Sequence, residues 1–205
     1  MENKNEFRMP GEWENHSATW LAWPNDDDYF EDIKNVEKIY LEIVKNLYKD
    51  EFVKLLVLND VEENRVKDLM VEAGIDLLKI IFYHARYFDV WMRDYGPMFI
   101  KNEKDLAWVK WNYDGYGGKF PELLPDNKVF FDLQNSINSK MISTDIALEG
   151  GAIDSNGSGT ILTTEECLLE NRNKGKSKEE NNLFLENLIG ATNVCLLYTS
   201  DAADE

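Results

Sequence analysis

The chain has 205 residues, of which 43% are hydrophobic and 30% charged, and this composition is that of a folded globular protein. Its formal net charge of −17 opposes binding to nucleic acids and anionic membranes and favours a small cationic partner, although such a charge often only keeps a surface solvated. No apolar run approaches the length of a membrane span and the first residues do not resemble a signal peptide, so we expect a cytoplasmic protein. Cys167 and Cys195 show no disulfide or metal-ligand spacing, so we expect no metal site.

The first part of the chain alternates between strand and helix patterns. Apolar residues recur at helical spacing over residues 29–48, and Asn59 or Asp60 is placed to cap a helix over residues 61–73 that ends at Gly74. This alternation predicts an α/β fold. The intervening apolar runs predict strands over residues 18–24, 52–58 and 77–83.

The regular alternation loosens beyond Trp91. Residues 106–120 have the pattern of a strand that runs into a turn region with Asp-Gly and Gly-Gly pairs. A charged linker opens a final helix within residues 176–189. No internal repeat is visible in the sequence. Further short strands are predicted over residues 142–146 and 159–164, on either side of a glycine-bearing segment.

The stretch WMRDYGP, residues 91–97, contains the first candidate functional carboxylate. Asp94 follows Arg93, and the two can form a partly buried ion pair that holds a turn. Alternatively, Trp91 supplies a flat aromatic face and Asp94 a two-oxygen acceptor, a combination that suits a guanidinium. The residues themselves leave both interpretations open.

Glu149, which precedes two glycines, is the second candidate. It is either a turn carboxylate or an acceptor that orients a catalytic imidazole, at a position where glycines allow close backbone approach. His16 and His84 are isolated in the sequence, which favours structural roles for both. Cys167 has acidic neighbours that disfavour a thiolate, so we expect it to be unreactive.

Four motifs in consistent order resemble agmatine deiminase, a member of the guanidine-modifying superfamily that includes the bacterial peptidylarginine deiminases. The resemblance implies a pentein-like α/β fold, a pseudo-fivefold propeller of ββαβ modules that is incomplete in this chain, with no cofactor and a homo-oligomeric state. The motifs are MPGEWENHSATWLAWP over residues 9–24, DVWMRDYGP over 89–97, WNYDGYGGKF over 111–120 and LEGGAIDSNGSGTILTTEECLLENRN over 148–173.

The resemblance also implies a chemistry. In that family a cysteine thiolate attacks the guanidinium carbon and forms a covalent amidino-thioether, which water resolves, and a histidine acts as general acid and base. By the motif match, Asp94 corresponds to the first carboxylate that clamps the guanidinium, Trp91 to the aromatic contact with the substrate, and Glu149 to the glutamate that orients the histidine. Arg93 is expected to brace the loop rather than to touch substrate.

The catalytic cysteine and histidine of the family have no match in this chain. In the family the histidine lies in a G-H-x-D motif that also carries the second clamping aspartate, and both this motif and the late cysteine are expected downstream. Residues 195–205 depart from the family pattern and agree with the translation of a transposase adapter used in sequencing libraries. We therefore expect residues 1–194 to be the N-terminal portion of a single deiminase catalytic domain, and residues 195–205 to be a non-native tail.

Three functions follow as hypotheses. The first is an agmatine deiminase that forms N-carbamoylputrescine and ammonia on the route to putrescine, with the chain as written inactive. The second is a bacterial-type peptidylarginine deiminase, which has the same clamp but admits a peptide. The third is a truncated, noncatalytic module that binds a guanidinium.

Overall fold

The computed structural model describes residues 7–25, 30–169 and 172–197. They fall into two compact units. The first unit is residues 15–92, and the second unit combines the described residues up to Glu14 with those from Arg93 onward. Within the second unit, Arg8 forms an antiparallel bridge with Lys101, which attaches the N-terminal segment.

The first unit is a parallel three-stranded sheet with two crossover helices. Strands β1 (Ala18–Ala22), β2 (Phe52–Val57) and β3 (Ile80–His84) lie side by side in that order. Helix α1 (Ile33–Leu47) connects β1 to β2, and helix α2 (Asp60–Glu72) connects β2 to β3. The apolar faces predicted from the sequence pack together, which buries Trp23, Val44, Leu55, Val66 and Met70.

Side-chain caps set two of the element boundaries in this unit, one as predicted and one not. Asn59 is the cap of α2, because its side chain accepts hydrogen bonds from the amides of Val61 and Glu62 at 3.0 and 3.1 Å. The third strand begins later than predicted. Residues Leu77–Lys79 instead form a 3₁₀ turn, because the Asp76 side chain caps the Leu78 amide at 3.0 Å.

The second unit contains two sheets with the same strand arrangement. In one, β4 (Met98–Lys101) pairs antiparallel with β5 (Leu106–Asn112), which pairs parallel with β6 (Lys140–Ala147). In the other, β7 (Ile153–Ser155) pairs antiparallel with β8 (Thr160–Thr164), which pairs parallel with β9 (Asn193–Leu197). Each sheet is thus a hairpin followed by a helical crossover to a parallel strand, a ββαβ arrangement. None of the three sheets closes on itself within the described residues.

In the described part of the chain, five helical segments accompany these sheets: α3 (Met92–Tyr95), α4 (Gly115–Gly118), α5 (Val129–Asp132), α6 (Glu165–Leu168) and α7 (Lys178–Ile189). Segment α4 is a single turn of left-handed residues rather than a regular α-helix. Helix α7 begins with a reciprocal capping box between Ser177 and Glu180 and ends at Gly190, whose φ of +71° is left-handed. Among the described residues, no helix combines the length and apolar character that crossing a membrane requires.

The mixed α/β class predicted from the sequence is confirmed, and three short strands were missed. These are β4, β7 and β9. Strands β4 and β7 have four and three residues, too few side chains to display alternation, and three of the five residues of β9 lie in the predicted tail. Strand β9 includes Cys195–Leu197, the first three residues of the predicted tail. The remainder of that tail lies outside the described residues.

Lys110 is a buried cation in the core of the second unit. It is 1% exposed, and its Nζ donates to the Trp111 carbonyl at 2.6 Å and to Oδ1 of Asn127 at 2.7 Å. The same Asn127 oxygen accepts the Tyr113 amide at 2.9 Å, so the network fixes the chain just after β5. Burial lowers the pKa of Lys110 to about 8.

This lowered pKa predicts a pH-dependent stability. Between pH 8 and the ordinary pKa of 10.5, the unfolded chain keeps a proton on Lys110 that the folded chain has lost, so the free energy of unfolding should rise with pH. The rise is expected to reach about 3 kcal/mol at most. Lys110→Met should abolish it in urea denaturation measured across this range, whereas Lys140→Met, at an exposed position, should preserve it. An unchanged pH dependence in Lys110→Met would contradict the assignment.

Candidate active site

Asp94 lies in the short helix α3 with both carboxylate oxygens held. Its Oδ1 accepts the backbone amide of Gly151 at 2.8 Å, and its Oδ2 accepts the hydroxyl of Tyr116 at 2.9 Å. The residue is half-buried rather than enclosed. Because each carboxylate oxygen has a second lone pair, the group can still accept hydrogen bonds from a cationic donor. The arrangement is a fixed anion with free acceptor capacity.

Two glycines allow this geometry. A Cβ at Gly150 would overlap the carbonyl of Arg93, and a Cβ at Gly151 would overlap Oδ1 of Asp94. The E-G-G and W-M-R-D motifs, which are separate in the sequence, are therefore in direct contact. The sequence predicted close backbone approach at these glycines, and the structure identifies the approaching group as the Arg93–Asp94 segment.

Gly151→Ala should therefore disturb Asp94 specifically. The added methyl group must displace the carboxylate or the backbone that holds it, at an expected cost of about 1–3 kcal/mol in the free energy of unfolding. The Asp94 side-chain carboxyl and the residue-151 amide should both shift in NMR spectra of the variant. Ala152→Gly, at the next position, is the control and should leave the Asp94 signal in place. An Asp94 signal unmoved in Gly151→Ala would contradict the contact.

The Arg93 side chain contacts groups other than the Asp94 carboxylate. Its Nε donates to the Gly150 carbonyl at 3.0 Å, and its Nη2 lies 2.7 Å from Oε1 of Glu12. These contacts favour the expectation that Arg93 braces the loop. The alternative interpretation, an Arg93–Asp94 ion pair that holds a turn, does not describe the observed partners.

Glu149 is 3% exposed and forms a buried ion pair. Its Oε1 accepts two hydrogen bonds from Arg172, from Nε at 3.2 Å and from Nη2 at 2.9 Å. Its buried Oε2 receives no hydrogen bond from another described residue. Burial raises the pKa of Glu149, and the Arg172 charge and hydrogen bonds act in the opposite direction.

Sequence reasoning missed Tyr116 and Arg172. Tyr116 has a left-handed φ of +60°, between glycines that are also left-handed. The Asp114 side chain stabilises this loop by accepting the Gly117 amide at 2.7 Å. The Asp-Gly and Gly-Gly signals predicted the turn, but not that its tyrosine would reach Asp94. For Arg172, the sequence offered one indication, its position in the motif over residues 148–173. The next residue, Asn173, has a buried side chain that bonds the amide and the carbonyl of Ala147.

The other predicted residues lie elsewhere. Trp91 belongs to the first unit, where its side chain is 59% exposed and its amide donates to Asp89 at 3.1 Å. Both histidines also belong to the first unit: His84 contacts Glu63 at 2.6 Å, and His16 lies 3.9 Å from Glu51. Cys167 is a half-buried residue of α6 whose amide is capped by Thr164.

One group in the described residues has donor atoms close enough together to hold a metal ion. Asp60, Glu63 and His84 place one ligand atom each within 4.8 Å of one another. Glu63 also accepts a hydrogen bond from Lys67, so its carboxylate already has two partners. The cluster is on the surface of the first unit and does not involve Asp94 or Glu149.

Comparison with known proteins identifies the class. The solved agmatine deiminase of Enterococcus faecalis superimposes with a TM-score of 0.82 at 28% identity, over 98% of this chain and 55% of that one. A cysteine-to-serine variant of C. jejuni agmatine deiminase with substrate bound gives a TM-score of 0.81 at 27% identity, over 94% and 56% of the two chains. Agmatine deiminase from Pseudomonas aeruginosa (strain LESB58) is 31% identical over 199 residues, 93% of this chain and 52% of the relative. The chain has the fold of deiminases.

A family model that covers nearly the whole chain identifies the family. Residues 8–205 match the model of the Porphyromonas-type peptidyl-arginine deiminase family, and the chain belongs to that family. The resemblance found in the sequence motifs is thereby confirmed. The chain spans about half the length of the relatives that it matches.

Proposed function

We propose that this chain is part of an agmatine deiminase, which hydrolyses the guanidinium of agmatine to N-carbamoylputrescine and ammonia on the route to putrescine. The observation that carries the proposal is the Asp94 carboxylate, fixed by Gly151 and Tyr116 and still able to accept further hydrogen bonds. A planar guanidinium matches a two-oxygen acceptor. The agmatine deiminase names of the P. aeruginosa and E. faecalis relatives support the substrate.

Each residue has a role in this proposal. Asp94 holds the guanidinium nitrogens, and Trp91 provides the aromatic face against the cation. Glu149 orients the histidine that acts as general acid and base. A cysteine thiolate attacks the guanidinium carbon, ammonia leaves with a proton from the histidine, and water then cleaves the amidino-thioether to regenerate the thiolate. No metal or organic cofactor takes part.

The rest of the protein is expected to complete the site. We propose that residues 1–194 are the N-terminal portion of a catalytic domain, with the nucleophilic cysteine and the G-H-x-D histidine encoded downstream, and that residues 195–205 are a non-native tail. The two ββαβ sheets then belong to a five-module propeller, and the complete protein is a cytoplasmic homo-oligomer. The 205-residue chain by itself is inactive.

Net charge supports a small cationic substrate. The formal charge of −17 gives a negative surface potential that concentrates a polyamine-like dication and repels anions. Rate enhancement of this kind falls with ionic strength because salt screens the field. Asp94 then supplies the local recognition that the long-range field cannot.

A second candidate is a bacterial-type peptidylarginine deiminase, favoured by the description of the matching family. A third is a noncatalytic module that binds a guanidinium. The complete reading frame, expressed and purified, separates all three. Release of N-carbamoylputrescine from agmatine with little citrulline from arginyl peptides supports the proposal, and the reverse preference supports the second candidate. Saturable agmatine binding without turnover supports the third.

A further inference from the structure

The Glu149–Arg172 pair is asymmetric. Both hydrogen bonds from the Arg172 guanidinium go to Oε1, although a guanidinium facing a carboxylate often bonds both oxygens in parallel. Oε2 is buried and receives no hydrogen bond from another described residue, although the backbone amide of Glu149 itself also acts on this carboxylate. A buried carboxylate oxygen that no other residue contacts is costly, so its presence beside an Oε1 that accepts two hydrogen bonds points to a ligand group that binds Oε2.

Arg172 also contacts the loop that carries Tyr116. A Cβ at Gly117 would lie 2.7 Å from Nη1 of Arg172, so the guanidinium packs directly against the backbone of the loop. Tyr116 donates to Oδ2 of Asp94. Oδ1 of Asp94 accepts the amide of Gly151, two residues after Glu149.

These contacts form a closed ring. It runs from Glu149 through Arg172 to Gly117 and Tyr116, then to Asp94, and returns to Glu149 through the E-G-G backbone. Every link is a direct contact within the second unit. A change at Arg172 is therefore expected to reach both candidate carboxylates through this ring.

We propose that Arg172 is a positioning residue that fixes Glu149 through Oε1, leaves Oε2 for an N–H donor, and holds the Tyr116 loop that orients Asp94. The inference deepens the proposed function and rests on it for the identity of the donor, which is the catalytic imidazole. The geometry of the ring stands independently of that identity.

The charge environment explains why an arginine is needed. Glu149 is buried, which disfavours its ionised form, and Asp114 adds a like charge that acts in the same direction. Arg172 interacts with Glu149, Cys167 and Asp114, and supplies the opposing positive charge. A lysine would keep a charge but could not present two coplanar N–H groups to one oxygen while a third nitrogen lies against Gly117.

The first test uses the 205-residue chain with carboxyl-labelled glutamate and NMR detection. In Arg172→Gln, the titration midpoint of Glu149 should rise by at least about one pH unit, a tenfold change in proton affinity. The NMR signals of the Gly117 and Gly151 amides should shift in the same variant. Arg172→Lys should restore part of the wild-type midpoint of Glu149 but not the wild-type position of the Gly117 signal. Arg8→Gln is the matched control, because Arg8 forms a comparable two-nitrogen contact with Glu14 in the same unit.

The second test uses the complete reading frame and the pH profile of kcat/KM for agmatine. In Arg172→Gln the acid limb should move to higher pH, because Glu149 must lose its proton to orient the histidine. An unchanged Glu149 midpoint, or an unchanged acid limb in an active enzyme, overturns the inference. If the wild-type enzyme does not act on agmatine, the proposed function fails, and the NMR titration still decides the role of Arg172. If Arg172→Gln does not fold, the Glu149 titration and the pH profile are measured on Arg172→Lys instead.

Discussion

Asp94→Asn in the complete protein is expected to lower kcat/KM for agmatine by about 10²–10³-fold. Asparagine keeps the size of the side chain and an oxygen for the Gly151 amide, but it removes the negative charge that would hold a guanidinium. The loss should be measured by product formation at low ionic strength and again at high salt. Because the contact is local, most of the loss should persist when salt screens the surface field.

The matched control for this variant is Asp132→Asn, which removes a carboxylate from an exposed position in the same unit. Both variants lower the net negative charge by one, so both weaken the long-range field equally. Only Asp94→Asn should lose more than tenfold in activity. If the two variants behave alike, Asp94 acts only through the overall charge and the clamp is wrong.

Arg172→Met is expected to lower the free energy of unfolding of the chain by about 3–5 kcal/mol at neutral pH. The substitution leaves Glu149, which is 3% exposed, as a buried carboxylate without its counter-charge. Urea denaturation followed by circular dichroism measures the change. The size of the effect comes from the desolvated charge left behind, so replacing both partners should cost much less than replacing one.

The pH dependence of this destabilisation has a definite sign. Burial raises the pKa of Glu149 in the folded chain, so the folded chain binds this proton more tightly than the unfolded chain does. The resulting contribution to the free energy of unfolding is present at acidic pH and is lost as pH rises through the folded pKa. Loss of Arg172 raises this pKa further. The difference between Arg172→Met and wild type should therefore shrink as pH falls through the raised folded pKa of Glu149, where this carboxylate gains a proton.

Two controls complete this experiment. Arg8→Met removes a charge from a pair that is more exposed than Glu149–Arg172, and it should have a smaller effect with little change over the same pH range. Glu149→Gln combined with Arg172→Met should recover most of the lost stability. If the single Arg172 variant is as stable as wild type at neutral pH, the buried ion pair does not exist in solution.

Much of the first unit could be predicted from the sequence because its helices are long and its strands are continuous apolar runs. Helical spacing identified α1, and the Asn59 cap and Gly74 bounded α2. The hairpin strands β4 and β7 of the second unit could not be predicted, because three or four residues do not establish a period. Their position is decided by pairing with longer strands rather than by local propensity.

The candidate site was predicted only in part. Asp94 and Glu149 stood out because each lies in a recognisable motif, and their functional roles stay predictions. Tyr116 and Arg172 act through contacts that span 22 and 23 residues, and Tyr116 needs a backbone conformation that tyrosine rarely adopts. Sequence patterns encode neither the contact nor the strain. Close packing at Gly150 and Gly151 became meaningful only when the structure placed the Arg93–Asp94 segment against them.

The most direct test of the account is the sequence of the source locus beyond codon 194. We expect the open reading frame to continue without a stop, to diverge at once from residues 195–205, and to encode a G-H-x-D motif followed by a late cysteine. Those residues would supply the general acid and base, the second clamping aspartate and the nucleophile. A genuine stop codon after Glu205 in genomic DNA would contradict the account, since Asp94 and Glu149 would then have no catalytic partners.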